Sequence, residues 1–100
     1  IKNGMRPIHP GEVLREEFLI PLGIKAHALS LALQVHAPRI HEIVHERRSI
    51  TVDTAMRLAK YFGTSAQFWL GLQNDYDMAV AQTTMSEALG RISRCELIAA

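Results

Sequence analysis

Five residues in the middle of the chain match the pattern of a zinc-binding helix. His41-Glu42-Ile43-Val44-His45 has the form H-E-x-x-H, in which two histidines one helical turn apart reach one metal ion. The glutamate between them would polarise the bound water. A zinc protease also needs a third ligand, and the downstream candidates are only scattered acids: Asp53, Asp75, Asp77 and Glu87. Metal-dependent hydrolysis is therefore the weakest hypothesis, and exposed polar residues with no bound metal are the alternative.

The sequence around this pattern has the outline of a helix-turn-helix. Helical periodicity predicts a helix over 25–33 and a second over 37–45, joined by a three-residue turn. In the second helix Ile40, Ile43 and Val44 recur at the spacing of one buried face. The second helix of such a motif enters the major groove of DNA. Many helical hairpins share this outline, so the DNA hypothesis also depends on the polar face.

The polar face of the second predicted helix supplies candidates for reading DNA. Its first residues, Ala37 and Pro38, would enter the groove first and contact a thymine methyl group, and Glu42 would accept from a cytosine amine. Arg39 would reach a base or a phosphate, and the arginines after the helix would bind phosphates and set the register. A solvated charge cluster is the alternative for the arginines. The residues predicted to bind DNA are His36, Ala37, Pro38, Arg39, His41, Glu42, His45, Arg47 and Arg48.

Composition limits the class of protein. One hundred residues with 48% apolar side chains predict a single domain with a compact core, too apolar to be disordered. No apolar run approaches the ~20 residues that span a bilayer, and no N-terminal signal is visible. The single cysteine, Cys95, cannot form an internal disulfide. We therefore expect a soluble cytoplasmic protein without a membrane partner. The formal net charge of +1 neither supports nor excludes nucleic acid.

Helical periodicity recurs along the whole chain, and strand signals do not persist, so the predicted fold is all-α. We expect five helices, followed by a C-terminal extension. The first helix begins at Pro10 and is stopped by Pro21 and Gly23. Thr51 and Ser65 are predicted to cap the fourth and fifth helices.

Buried faces and boundaries follow from the same pattern. The second helix is predicted to bury Leu29, Ala32 and Leu33. The fourth is predicted to bury Ala55, Met56, Ala59 and Phe62 and to end at Gly63. A break is expected over 81–84 and a last helix over 87–98. The predicted division is a helix-turn-helix DNA-binding domain at 1–81 and a C-terminal extension at 82–100 that includes this last helix.

The fifth predicted helix carries large apolar side chains that suit either the core or a dimer interface. Reading a palindrome requires a two-fold dimer, because its half-sites lie about one helical turn apart. Ordinary burial preferences favour the core for these residues. The residues predicted for a homodimer interface are Phe68, Trp69, Leu72 and Tyr76.

A collinear series of short motifs runs from residue 6 to 81. The motifs are His9-Pro10-Gly11-Glu12, Glu16-Glu17-Phe18-Leu19, Pro21-Leu22-Gly23, Pro38-Arg39-Ile40-His41-Glu42-Ile43-Val44, Ile50-Thr51, Asp53-Thr54-Ala55, Phe62-Gly63-Thr64-Ser65 and Phe68-Trp69-Leu70. In these motifs the chain resembles the HigA-type antitoxins, also called virulence-associated protein I. These are small XRE-type helix-turn-helix regulators.

The resemblance implies a five-helix, lambda-repressor-like domain that binds operator DNA, usually as a homodimer, and no cofactor. It implies a HigB-type toxin partner, an mRNA-cutting RNase related to RelE. The antitoxin of such a pair silences the toxin and represses its own operon, and it is not an enzyme. The alternative is a protein-interaction module with weak DNA binding, which Gln34, Glu46 and the near-neutral charge favour.

The chain departs from the family pattern at several positions. His41 stands where asparagine is common, so the zinc-protease pattern is completed by chance. Relatives usually place glycine at the positions of Gln34 and Glu46, so both residues are expected at positive φ at some cost. Lys25 and Ala26 replace the usual Ser-Gln opening of the second helix, which removes a cap. Lys25 supplies a positive charge there instead and joins the predicted DNA-binding residues.

Overall fold

The computed structural model describes residues 6–98, which form helices and no strand. Helical segments Pro10–Val13, Leu14–Leu19 and Ile20–Leu22 follow one another directly and together form α1. The helices after α1 are α2 (Ala26–Leu33), α3 (Ala37–Val44), α4 (Val52–Phe62), α5 (Ala66–Thr84) and α6 (Ser86–Gly90). The predicted all-α fold, five helices followed by an extension, is confirmed. Within the described range no helix has the length and apolarity needed to cross a bilayer.

Helix α1 begins at Pro10, as predicted. His9 caps it, because its Nδ1 accepts a hydrogen bond from the backbone N–H of Gly11 at 2.8 Å. The middle of α1, Leu14–Leu19, is π-helical. This wider turn precedes Pro21, which has no N–H and whose ring would clash with a carbonyl of the preceding turn in a regular helix. Pro21 therefore lies inside α1 rather than stopping it, and the helix ends at Gly23, with φ 68°.

The core surrounds Trp69, which has no exposed surface. Its Nε1 donates to Thr64 Oγ1 at 2.8 Å, so the one polar atom of the indole is satisfied. The Phe18 ring lies 5.0 Å from the Trp69 ring and 4.9 Å from the Phe62 ring, which joins α1, α4 and α5. The buried apolar residues are Leu14, Leu19, Leu29, Leu33, Ile40, Ile43, Val44, Ile50, Ala55, Leu58 and Trp69.

The caps confirm the predicted starts of α4 and α5 and the predicted end of α4. Thr51 Oγ1 accepts from the N–H of Thr54 at 3.5 Å, and Ser65 Oγ accepts from that of Phe68 at 3.0 Å. Gly63 ends α4 with φ 72°.

The buried faces predicted for α2 and α4 each include one residue that is exposed in the structure. Ala32 is exposed, and Ser30 is buried in α2 instead, with its hydroxyl donating to a backbone carbonyl. Met56 is 61% exposed, and Leu58 takes the inward place. Successive helical residues differ by about 100° in direction. Some residues therefore point to the edge of the buried face of their helix. Whether such a residue is buried depends on the packing of the neighbouring helices.

The break expected over 81–84 is wrong, because α5 continues through Thr84. Those residues include no glycine or proline, and polar side chains alone do not end a helix. The helix expected over 87–98 is also largely wrong, since α6 ends at Gly90. Residues 1–5 and 99–100 of the two predicted domains lie outside the described residues. The extension carries apolar side chains in solvent, namely Met85, Leu89, Ile92, Leu97 and Ile98.

Candidate nucleic-acid interface

Helices α2 and α3 and the turn between them form the predicted helix-turn-helix. Helix α2 ends at Gln34, which adopts a left-handed conformation with φ 60° and ψ 48°. The N–H of Val35 then donates to the carbonyl of Ser30 at 3.0 Å, which closes the turn. His36 is extended at the N-cap of α3, and Pro38 lies in its first turn. The positive φ expected at Gln34 is confirmed.

Helix α3 is held by one face and presents the other to solvent. Ile40, Ile43 and Val44 are buried, as predicted. His41 and His45 are exposed on the other side of the helix. Three of the predicted DNA-binding residues are half-buried: Ala37, Arg39 and Glu42. The other predicted residues are exposed: Lys25, His36, Pro38, His41, His45, Arg47 and Arg48. All ten retain solvent-facing surface.

The end of α3 is fixed by α1. Glu46 has φ 63°, which confirms the second expected positive φ. Arg15 of α1 donates to the carbonyl of Val44 and lies 3.3 Å from the Glu46 carboxylate. Arg15 is not among the residues predicted from the sequence. It lies 29 positions before Val44 and shows no local signal, because the contact exists only once α1 packs against α3.

Arg39 is not free in the folded chain. Its Nη1 lies 2.7 Å from Asp53 Oδ1, and Arg57 Nε contacts the same oxygen at 2.7 Å. These hydrogen bonds, from Arg57 first and then Arg39, hold the pKa of Asp53 below its usual value. Arg57 also donates to the carbonyl of Leu33 at 2.8 Å, at the end of α2. Contact between Arg39 and a base or phosphate stays a prediction. To make it, Arg39 would have to leave Asp53 or contact the DNA and Asp53 at the same time.

A second ion pair lies at the other end of α3. Arg48 Nη2 is 2.9 Å from Glu42 Oε1, and Arg48 Nε contacts the same oxygen at 3.0 Å. Both groups are partly solvated, so the pair is weak and exchangeable. Lys25 stands at the N-cap of α2 without a side-chain cap hydrogen bond, as expected from the missing serine.

The zinc-protease arrangement is not formed by the described residues. Among residues 6–98 no three histidine, cysteine or acidic side chains come close enough to share a metal ion. The Glu42 carboxylate is paired with the Arg48 guanidinium, at 2.9 Å between Oε1 and Nη2.

The residues predicted for a dimer interface separate into two groups. Trp69 is fully buried inside the protomer, so its assignment to an interface is wrong. Its ring fills the centre of the core, and no partner can contact it. Phe68 is 41% exposed, and Leu72 and Tyr76 are half-buried. These three line a groove of about 420 Å³ between α5 and the start of α1.

A three-residue turn, an anchored second helix and a solvated polar face on that helix define the class of helix-turn-helix proteins. The helix-turn-helix family pattern matches residues 14–69. Virulence-associated protein I of Dichelobacter nodosus is 58% identical over 81 residues, covering 81% of this chain and 75% of the relative.

Solved structures show the same fold. The antitoxin HigA of Pseudomonas aeruginosa, solved with the higBA promoter, has a TM-score of 0.85 at 48% identity and covers 88% of this chain and 97% of its own. Antitoxin GraA in complex with its operator has a TM-score of 0.87 at 43% identity and covers 99% of each chain. The chain belongs to the HigA-type antitoxins, XRE-type helix-turn-helix regulators that include virulence-associated protein I. Members of this family are DNA-binding regulators and are not normally enzymes.

Proposed function

We propose that this chain binds the operator of its own promoter through α3 and represses transcription there. The observation that carries the proposal is the orientation of α3: its apolar side is locked into the core and its polar side is solvated. Such a helix can enter the major groove without unfolding the scaffold. Two relatives of the same fold were solved with a promoter and with an operator, which supports the assignment.

Within this site we assign base contacts to the exposed face of α3 and phosphate contacts to the residues around it. Ala37 and Pro38 stand in the first turn of α3, where recognition helices contact bases, and His41 follows one turn after Ala37. Arg47 and Arg48 follow the helix, where guanidinium groups contact the backbone and set the register. Lys25 and His36 stand at the starts of α2 and α3 and complete the proposed contact surface.

We also propose that the protein acts as a homodimer. Phe68, Leu72 and Tyr76 leave an apolar groove along α5, and the end of α5 and the extension expose further apolar side chains, including Met78 at 55% and Ile92 at 70%. Covering such surface by a second copy is favourable. A dimer would also present two α3 helices to the two halves of a palindrome.

The same family membership supports a protein partner. We propose that this chain binds and silences a HigB-type toxin, a RelE-like RNase that cuts mRNA. Cytoplasmic action follows from both proposed partners. Pull-down of a HigB-type toxin encoded beside this gene, followed by an mRNA-cleavage assay, tests the partner directly. Cleavage that continues at the same rate in excess antitoxin would contradict it.

A promoter titration is the experiment that tests DNA binding. Purified protein is titrated into its own promoter and into a scrambled duplex of equal composition, at two salt concentrations, with and without EDTA. We expect tight, salt-dependent, EDTA-insensitive preference for the promoter. Equal weak binding to both duplexes would contradict operator recognition by the protein alone.

The second candidate function is a protein-interaction module with weak DNA binding. The ion pairs of Arg39 with Asp53 and of Arg48 with Glu42 favour it, because each offsets a positive charge that phosphates would attract. Asp53→Asn and Glu42→Gln remove those competing carboxylates. If operator affinity rises in both variants, the pairs limit DNA binding. If neither duplex is bound by the wild type or by the variants, the interaction module is the better description.

A further inference from the structure

His41 of α3 and His45, which follows the last residue of α3, lie outside the hydrophobic core. Both side chains are exposed, and the N–H of His45 donates to the carbonyl of His41 at 3.1 Å, so the residues lie one helical turn apart. Side chains at this spacing have Cβ atoms roughly 5–6 Å apart. Two imidazoles can therefore reach one ion with metal–nitrogen bonds of about 2.1 Å.

The ring of His45 is already oriented as a ligand. Its Nδ1 lies 2.7 Å from the carbonyl oxygen of His41. A carbonyl only accepts hydrogen bonds, so this contact selects the neutral tautomer in which Nδ1 carries the proton and Nε2 keeps its lone pair. Metal-ligating histidines commonly donate their other ring N–H to a backbone carbonyl in this way. The ring of His41 makes no hydrogen bond or ion pair within residues 6–98, so it is available as the second ligand.

This pair differs from the site of a zinc protease. Glu42 is held by Arg48, and the described part of the chain offers no third ligand near the histidines. Water would complete the coordination shell. Imidazole and water together suit borderline divalent ions such as Ni²⁺, Cu²⁺ and Zn²⁺. We propose that His41 and His45 form a two-histidine site for such a cation, and that a bound ion blocks base recognition by α3.

The blocking step rests on the proposed function, whereas the metal site does not. Both histidines lie on the exposed face of α3 assigned to the operator, so a hydrated ion would occupy the His41 side chain and remove its proposed base contact. The added positive charge would still attract phosphates of any sequence. We therefore expect metal to lower the preference for operator over scrambled DNA, rather than to abolish DNA binding.

The site itself is tested with Ni²⁺ alone, by calorimetric titration of untagged protein. We expect one Ni²⁺ per protomer in the wild type and no such binding in His41→Asn or His45→Gln. His27→Asn is the matched control, because His27 is an exposed helical histidine with no histidine one turn away. It should bind Ni²⁺ as the wild type does. Unchanged binding in the two α3 variants, or an equal loss in His27→Asn, would overturn the site.

The blocking step is tested by titrating operator and scrambled duplexes with and without saturating Ni²⁺. We expect Ni²⁺ to lower the ratio of the two affinities by about tenfold in the wild type, the scale of one lost base contact. In His41→Asn we expect Ni²⁺ to leave the ratio at that variant's own metal-free value. An unchanged wild-type ratio would overturn the coupling. If the metal-free protein shows no operator preference, the proposed function fails, and the Ni²⁺ titration still decides the metal site.

Discussion

Replacing Gly11 with alanine should strongly destabilise the domain. A Cβ built on Gly11 would lie 1.7 Å from the backbone oxygen of Ile43 and 2.8 Å from its carbonyl carbon. Cβ contacts below 3.0 Å are essentially never found, so α1 and the end of α3 would have to move apart. The obstacle is backbone, so no side-chain rotation relieves it.

The structure sets the scale of this effect. Separating the two helices loosens the packing of Leu14 and Ile43, both fully buried, and overpacking of this kind costs about 3 kcal/mol or more. For a domain of this size that corresponds to a loss of roughly 12–24 °C in Tm. Such a loss is a large share of the roughly 5–15 kcal/mol that stabilises a typical domain.

Urea denaturation followed by tryptophan fluorescence measures the change, since Trp69 is the one tryptophan and is fully buried. Gly71→Ala is the matched control. Gly71 lies within α5, and a Cβ there meets nothing within 4 Å. That variant should gain up to about 1 kcal/mol from helix propensity. If Gly11→Ala stays within about 1 kcal/mol of the wild type, the close approach of α1 to α3 is refuted.

Four further predictions concern the same surfaces. Gln34→Gly should raise the free energy of unfolding by about 0.5–1 kcal/mol, because glycine adopts the left-handed conformation without the Cβ penalty; a lower urea midpoint would argue against strain there. Burial lowers the pKa of His9, which accepts a hydrogen bond through unprotonated Nδ1, so the unfolded chain binds the proton first. Stability should therefore fall as pH drops below about 6.5, towards the lower pKa of the folded state, and this component should vanish in His9→Asn; an identical pH profile for the two proteins would exclude His9 as its source. Arg39→Ala should weaken operator binding by about 1–3 kcal/mol if Arg39 reads a base, whereas an equal loss on scrambled DNA would indicate a phosphate contact. Arg48→Ala should reduce the slope of log affinity against log salt by about one unit, and an unchanged slope would remove Arg48 from the phosphate contacts.

Local rules were enough to predict most helix boundaries. Pro10, Thr51, Gly63 and Ser65 act through hydrogen bonds and dihedral angles within a few residues of themselves, so their effects can be read in sequence order. The same rules failed over 81–84. Polar residues there predicted a break, but the segment contains no glycine or proline, and the helix continues through it. Met56 was wrongly predicted to be buried, because the packing of neighbouring helices, and not the periodicity of α4, decides which of its residues are buried.

The exposed face of the candidate site was predicted from the sequence, but the ion pairs of its arginines were not. The exposure of His41 and His45 follows from the spacing of Ile40, Ile43 and Val44, since burying one side of a helix exposes the other. The partner of Arg39 had no such signal. Asp53 lies 14 positions away at the start of another helix, and the pair forms only when the folded chain brings the first turn of α4 to Arg39.

By itself, the sequence determined the helical class, the caps, the turn between α2 and α3 and which face of α3 is apolar, because these depend on propensity and periodicity over one or two turns. The tertiary structure decided which charges remain available on that face, why Gly11 must lack a side chain and why Trp69 belongs to the core. Those properties depend on contacts between residues far apart in the chain, and such contacts exist only after the helices have packed.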